Sequence, residues 1–468
     1  MRLRLSTALV VTAVLAVLAG APAAVAGATS QPSIRIDSPV AYQVVQRDAH
    51  GRALISVRGT CQGVTGRVRV SWGDEHVDAL VKADGTFSAR LRAAAPGQAT
   101  LSARSLSDPT ARAHRRAVGV GDIFVVAGQS NAAGRGPNLT VATNPDYVAC
   151  MFANDYRWKV LTDPVDSPVG QIDKVSMDLY AGGSVWPLVA TQLMAAEHVP
   201  VAFIPCARGN MTMWRWGKDP ARPYSRRTLY GSLVHRVRVA GGRVRAVLLL
   251  QGESDARWRV PPREYARQLA RFAADLATDV RAPVVVGQSP DFPLTRYPAQ
   301  SVDAIRDVQT RAEGLGANLR QGPSLYDIDL GGSWHISRPD EQAVAAQRWA
   351  ACVLREVLGR EVAAPPRLVS ADYDGSHTVS LGYVGGALVP GPVEGFSVEA
   401  GGVPVRIDVA SASDGSTVRL ELADRPPAGA ITVSLGLGRD GAGAAVPVEA
   451  SPWRQPAPTV LRFPVAGR

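Results

Sequence analysis

A chain of 468 residues is too long for one domain and about right for two or three. Its 46% hydrophobic and 20% charged residues are ordinary for a soluble globular protein. The net charge of +10 is carried almost wholly by arginine, but the arginines are scattered, with no basic run and no basic stretch interleaved with aromatics. That pattern does not indicate nucleic acid; an acidic polysaccharide or a cell-wall surface suits it better.

The N-terminus has the form of a secretory signal peptide. Arg2 and Arg4 precede an apolar run, Ala8 to Leu18, and Ala24-Val25-Ala26 is a small-x-small cleavage site. Residues 1–26 are expected to be removed, leaving a secreted chain that begins at Gly27. The run is too short to span a bilayer and no other stretch is long enough, so no membrane attachment is expected after cleavage. The four cysteines (Cys61, Cys150, Cys206, Cys352) are widely spaced and lack a Cys-x-x-Cys pattern, which argues against zinc. In an exported protein an even count permits two disulfides. Cys150 and Cys206 could pair, and Cys352, in an apolar helix, could equally be a buried thiol.

Residues 32–117 read as β. Alternating segments such as RALISVRG and RVRVSWG are punctuated by Gly, Asp and Pro, which predicts a small sandwich. The pattern changes near Asp122. Short apolar runs at 123–127, 199–205, 244–250, 282–287 and 324–328 alternate with helix-period segments near 184–197, 228–240, 262–279, 298–315 and 338–357. Apolar strands separated by helices predict a parallel sheet covered on both faces, hence an α/β domain over 118–360. Ala363 to Pro366 reads as a linker, after which HTVSLGYV, STVRLELA, AITVSLGL and TVLRFPV predict a second β domain over 367–468.

In parallel sheets of this kind ligands bind beyond the carboxyl ends of the strands, and polar residues collect there. Ser130, in AGQSN, stands just past the run IFVVA. Gly128 gives the chain room to turn, and the following helix would aim its first N–H groups at the site, so Ser130 is the candidate nucleophile, with a helix N-cap as the plain alternative. QGESD, Gln251 to Asp255, follows VRAVLLL; Gln251 can donate an amide to an oxyanion and Glu253 can orient neighbours. CARGNMTMWRW follows VPVAFIP; Gly209 offers an unobstructed N–H, and Trp214 and Trp216 either stack on sugar or pack in the core. His335, just before the last helix of the domain, is the candidate base. A second Gly-Gln-Ser, at 287–289, lacks the following Asn, and Ser289 is set aside.

These blocks together resemble the SGNH-hydrolase superfamily, and within it the sialate O-acetylesterase branch. Gly121 to Asn131 matches that branch's opening block, GD(V/I)(W/F)xxxGQSN. Gln251 to Ser254 matches its Q-G-E-S-N block, with Asp255 in place of Asn. Gly209, Asn210 and Trp214 loosely match its Gly-Gly-Thr-like turn followed by Trp, and Tyr42 to Asp48 (YQVVQRD) is similar to its V-x-Q-R signature. The resemblance implies a three-layer flavodoxin-like catalytic domain flanked by β-sandwich-like domains, and removal of acetyl esters from carbohydrate without metal or cofactor. By match, Ser130 would be the nucleophile and His335 the base. The Ser130 N–H, the Gly209 N–H and the Gln251 side chain would form the oxyanion hole, Asn131 and Glu253 would support the site, and Trp214 would contact substrate. One departure stands out: the family usually carries Asp three residues before the histidine, and here that position is Gly332. Three explanations stay open. A Ser-His dyad works with a backbone carbonyl, Asp329 or Glu253 substitutes, or activity is lost and a carbohydrate-binding groove is kept.

Overall fold

The structure is a computed structural model; it describes residues 31–94, 97–175, 178–291, 293, 297–438 and 441–467. The expected signal peptide lies outside the described residues.

The α/β domain is built on strand β1 (Arg112–Gly128). Along the sheet follow β2 (Cys150–Phe152), β3 (Trp158–Val160), β4 (Val201–Pro205), β5 (Ala246–Leu250), β6 (Val284–Val286) and β7 (Leu319–Gln321) in the spatial order β3-β2-β4-β1-β5-β6-β7. All neighbours are parallel except the edge pair β3 and β2. With β1, β4, β5, β6 and β7 counted as first to fifth, the order is 2-1-3-4-5, the flavodoxin-like arrangement, whose switch point lies between β1 and β5. Side chains along β1 alternate between two cores. Ile123, Val125 and Ala127 pack with α3 (Leu229–Ala240), α5 (Pro262–Asp279) and α6 (Ala299–Thr310). Phe124 and Val126 pack with α2 (Trp186–Glu197) and α7 (Pro339–Glu356). Both faces are thus sealed by helices, which is why these strands read as unbroken apolar runs.

One expected strand is different. SLYDI, 324–328, is not a strand; the fifth parallel strand is β7, before Gly322 and Pro323. The apolar residues of SLYDI are turned to other partners. The Tyr326 ring fills the space above Gly436 and Gly441, its hydroxyl donates to the Ala457 carbonyl (2.8 Å), and Asp327 pairs with Arg348 (2.6 Å). This docks the C-terminal β region, a five-stranded and a four-stranded sheet around Val379, Leu420 and Val433.

At the N-terminus a three-stranded sheet (Ser33–Ser38, Arg52–Gln62, Thr86–Ala94) shares its core with the strands Arg67–Trp72 and Gly97–Ser105. The latter pairs with the first half of β1, whose second half is the centre of the α/β sheet. The two regions therefore share one eleven-stranded sheet, with a bulge at Ala117 (φ 51°) as β1 passes from one to the other.

Buried charges fasten this junction. Asp122, 1% exposed, accepts from Arg47 (2.6 Å), Arg245 (2.8 Å) and Gln46 (3.0 Å). Arg47 also binds Glu197 at the end of α2 (2.7 Å), which Arg360, beyond α7, holds as well (2.6 Å). All four cysteines are free, buried thiols, so the pairing left open for Cys150 and Cys206 is not formed. Burial pushes Cys150, Cys206 and Cys352 up to about 12.

Replacing Asp122 by Ala takes from Arg245 its carboxylate and leaves Arg47 with Glu197 alone. The expected loss is about 3 kcal/mol of unfolding free energy, read from the urea midpoint; an unchanged midpoint would contradict the role given to this network.

Candidate active site

Three loops converge where β1, β4 and β5 end. Gly128 (φ 127°) makes the turn: a Cβ there would lie 2.0 Å from the Leu250 carbonyl oxygen, so only glycine lets β1 close on β5 while the chain swings away. Ser130 then opens the short helix α1 (Ser130–Ala133), buried, with the first N–H groups of the helix lacking intrahelical acceptors. Gln129, before it, is tied to the β5 loop, its side-chain oxygen accepting from the Ser254 N–H (2.9 Å) and from Gln251 (3.2 Å). The β4 loop joins through the Arg208 N–H, which donates to the Gly128 carbonyl (2.9 Å).

Asn131 brings His335 to this place. Its amide nitrogen donates to the Trp334 carbonyl (3.3 Å) and its oxygen accepts from the Ile336 N–H (3.0 Å). The residue after Ser130 thus grips the backbone on both sides of His335. The same nitrogen donates to Glu253 (3.0 Å), at the start of α4 (Glu253–Arg257). The Glu253 carboxyl is buried, and burial pushes it up to about 7. Ser333 closes the loop locally, its hydroxyl accepting from the His335 N–H and donating to the His335 carbonyl (both 3.2 Å).

The imidazole of His335 is half-buried, and among the described residues no carboxylate is hydrogen-bonded to it. Its basicity is held down to about 4, first by burial and then by the Arg135 charge, with Asp178 opposing. Arg135 and Asp178 form a close pair (2.8 Å) that sequence reading missed. They lie in irregular segments far apart in the chain, and the only signal was an arginine inside an otherwise small-residue stretch, Ala132 to Gly136.

Several expected donors are engaged. The Gly209 N–H donates to Asp178 (3.1 Å), and a Cβ at Gly209 would lie 2.0 Å from the Arg135 guanidinium, so a larger residue would push that side chain aside. The Gln251 amide, fully buried, is shared among the Met211 carbonyl (2.5 Å), Asp255 (2.9 Å) and Gln129 (3.2 Å). Gln251 is therefore a strut between loops in this state, not a vacant oxyanion donor. Asp329 is displaced from the site altogether: it is exposed, accepts from the Gly331 N–H (2.8 Å), lies against Gly443 and acts electrostatically on Arg338. Ser289 is buried and bonded through its hydroxyl to Gln309 (3.0 Å).

The two tryptophans of MWRW part company. Trp216 is core, edge-on to Phe272, whereas Trp214 is 63% exposed with the Arg215 guanidinium over its ring. Asp255 fixes this segment by accepting the Met213 N–H (2.9 Å). Trp258, 62% exposed and stacked by Arg257, is a second surface tryptophan that sequence reading passed over. Among the described residues, no group of three or more His, Cys, Asp or Glu is placed to hold a metal ion.

Comparison with known proteins bears on the α/β domain and its flanking regions. Residues 120–315 match the family described as carbohydrate esterase, sialic acid-specific acetylesterase. This stretch of the chain is similar to that family. A protein of Arabidopsis thaliana described as a probable carbohydrate esterase is 26% identical over 180 residues. The match takes in 34% of this chain and 65% of the Arabidopsis protein, so the chain spans just under two thirds of that relative's length. The crystal structure of a carbohydrate acetylesterase from Xanthomonas citri superposes with a TM-score of 0.60 at 19% identity, over 90% of this chain and 97% of that one. At that identity the likeness establishes a shared fold, and its coverage reaches into the flanking β regions.

Asn131→Ala releases the histidine loop while leaving Ser130 and His335 in the chain. The expected result is a fall in kcat on a small acetyl ester of roughly 10²-fold, as for other misplacements of a catalytic group, with the melting temperature close to wild type. A kcat within twofold of wild type would show that the loop is held by other means.

Proposed function

We propose that the esterase domain removes O-acetyl groups from carbohydrate through an acetyl-enzyme on Ser130. The observation that carries this reading is the grip of Asn131, the neighbour of Ser130, on the backbone flanking His335. His335 takes the proton as the Ser130 hydroxyl attacks the acetyl carbonyl, then gives it to the departing sugar oxygen. Water, activated by the same imidazole, releases acetate. The oxyanion meets the Ser130 N–H at the head of α1, and the Gly209 N–H joins by exchanging Asp178 for the substrate oxygen. In place of the family's Asp, the imidazole is oriented through its own backbone. Of the three explanations for Gly332, this is the Ser-His dyad; Glu253 contributes by holding Asn131, and Asp329 has no part. Export by the N-terminal 26 residues belongs to the same proposal.

A neutral imidazole is the working form of the base. Because burial and Arg135 depress its basicity, protonation removes activity only as pH falls toward about 4. The acid limb of kcat/KM is expected well below the ordinary histidine value of about 6.5, and Arg135→Gln is expected to move it upward. Coincident limbs near the ordinary value in both proteins would count against His335 as the base in this environment.

Hydrolysis of p-nitrophenyl acetate by the mature chain tests the whole reading. Ser130→Ala and His335→Ala are each expected to lose roughly three orders of magnitude or more while keeping the wild-type melting temperature. Turnover by Ser130→Ala would refute the assignment. Inertness of all three proteins would favour a second reading, a glycan-binding protein on an esterase scaffold, which exposed Trp214 and an imidazole with no carboxylate bonded to it among the described residues also fit.

A further inference from the structure

Building on the esterase reading, we propose that the groove beside the catalytic loops binds the acidic part of the substrate. It would take an oligosaccharide that bears carboxylates and lays a sugar face on Trp214. The groove has a volume of about 730 Å³ and lies between the loop after β4, the start of α3 and the flank of α5. That is the size of a small-molecule site. It begins at the active site itself: Arg208, next to Gly209, and Met211, whose carbonyl holds Gln251, both line it.

The charge in the groove is unbalanced in one direction. Two acidic residues line it, and both face arginines, Glu264 with Arg267 (2.5 Å) and Asp219 with Arg222 (3.7 Å). Lys218 is matched by Asp279 (2.8 Å) and Arg271 lies near Asp275 (4.0 Å). Arg208, Arg215 and Arg227 remain, and among the described residues no carboxylate pairs with any of them. Arg208 is held by the backbone carbonyls of Val175 (2.7 Å) and Lys174 (3.2 Å), which orient a guanidinium without neutralising it. Arg215 lies over the Trp214 ring at 5.1 Å. A neutral chain would leave these guanidinium groups without a partner, whereas carboxylates match them with directed, charge-assisted bonds.

Trp214 supplies the apolar surface. Its neighbour Trp216 already fills the core, and the buried Asp255 pins the turn through Met213, so the backbone that carries the exposed ring is held in place before any ligand arrives.

Calorimetric titration of the full mature chain with an oligogalacturonate and with a xylo-oligosaccharide of equal length tests the proposal, at low and at physiological ionic strength. The acidic oligomer is expected to bind about tenfold more tightly, with the difference shrinking as salt rises. Arg215→Gln combined with Arg227→Gln is expected to abolish that preference, and Trp214→Ala to weaken both oligomers about tenfold. Equal affinity for the two oligomers in the wild type, or a preference that survives the double substitution, would overturn it. The p-nitrophenyl acetate assay on the same preparation separates the two readings. A chain that prefers the acidic oligomer but turns over no ester keeps the groove and loses the esterase. One that turns over ester without preference keeps the esterase and loses the groove.

Discussion

Asp122 is one buried carboxylate shared by two arginines and a glutamine, and much of the molecule is assembled around it. Arg47 arrives from the N-terminal β region, Arg245 from the entrance to β5, and Arg47 passes the link on to Glu197 and so to Arg360. A charge so deeply buried is tolerable only when its partners are complete, and completing them requires segments from all along the chain to be in place together. The network lies where the strands of the α/β sheet begin. The site lies where they end.

At that other end the candidate site is held together by neutral hydrogen bonds more than by charge. The side chain of Asn131 does for the histidine loop what a carboxylate would do for the imidazole, but at the level of the main chain. The two devices differ in consequence. A carboxylate on the ring stabilises the imidazolium, whereas a clamp on the backbone sets direction and leaves basicity to the surroundings. Here the surroundings are burial and Arg135, and both favour the neutral ring. Arg135 is in turn locked by Asp178, which also accepts from the Gly209 N–H, so one ion pair acts on both the His335 imidazole and that N–H.

Much of this was legible in the sequence because the relevant signals were local. Unbroken apolar runs announced strands covered on both faces, and the helices expected near 184–197, 228–240, 262–279 and 338–357 coincide with α2, α3, α5 and α7. Ser130, Asn131 and Gln251 through Asp255 were found because each follows a strand directly. Other features were hidden because they depend on distant partners. Arg135 and Asp178 meet only through folding, and nothing in either segment marks the meeting. Asp329 had the right chemistry and a fair spacing, yet its backbone carries it toward Gly443. SLYDI has the composition of a strand, but its tyrosine is claimed by the C-terminal region. Gln251 was read as an oxyanion donor because a sequence shows donors without showing what already accepts from them.

Strand β1 runs through both regions of one sheet, and this makes the N-terminal β region an outgrowth of the α/β sheet rather than an appendage on a tether. The join between them is a continuous strand rather than a linker. Whatever surface the N-terminal strands present is held at a fixed bearing from Ser130. An evolutionary exchange of that module would have to carry half a strand across the join and preserve its register, because a slip of one residue would turn Ile123, Val125 and Ala127 to the opposite face and move the serine out of reach of its loop.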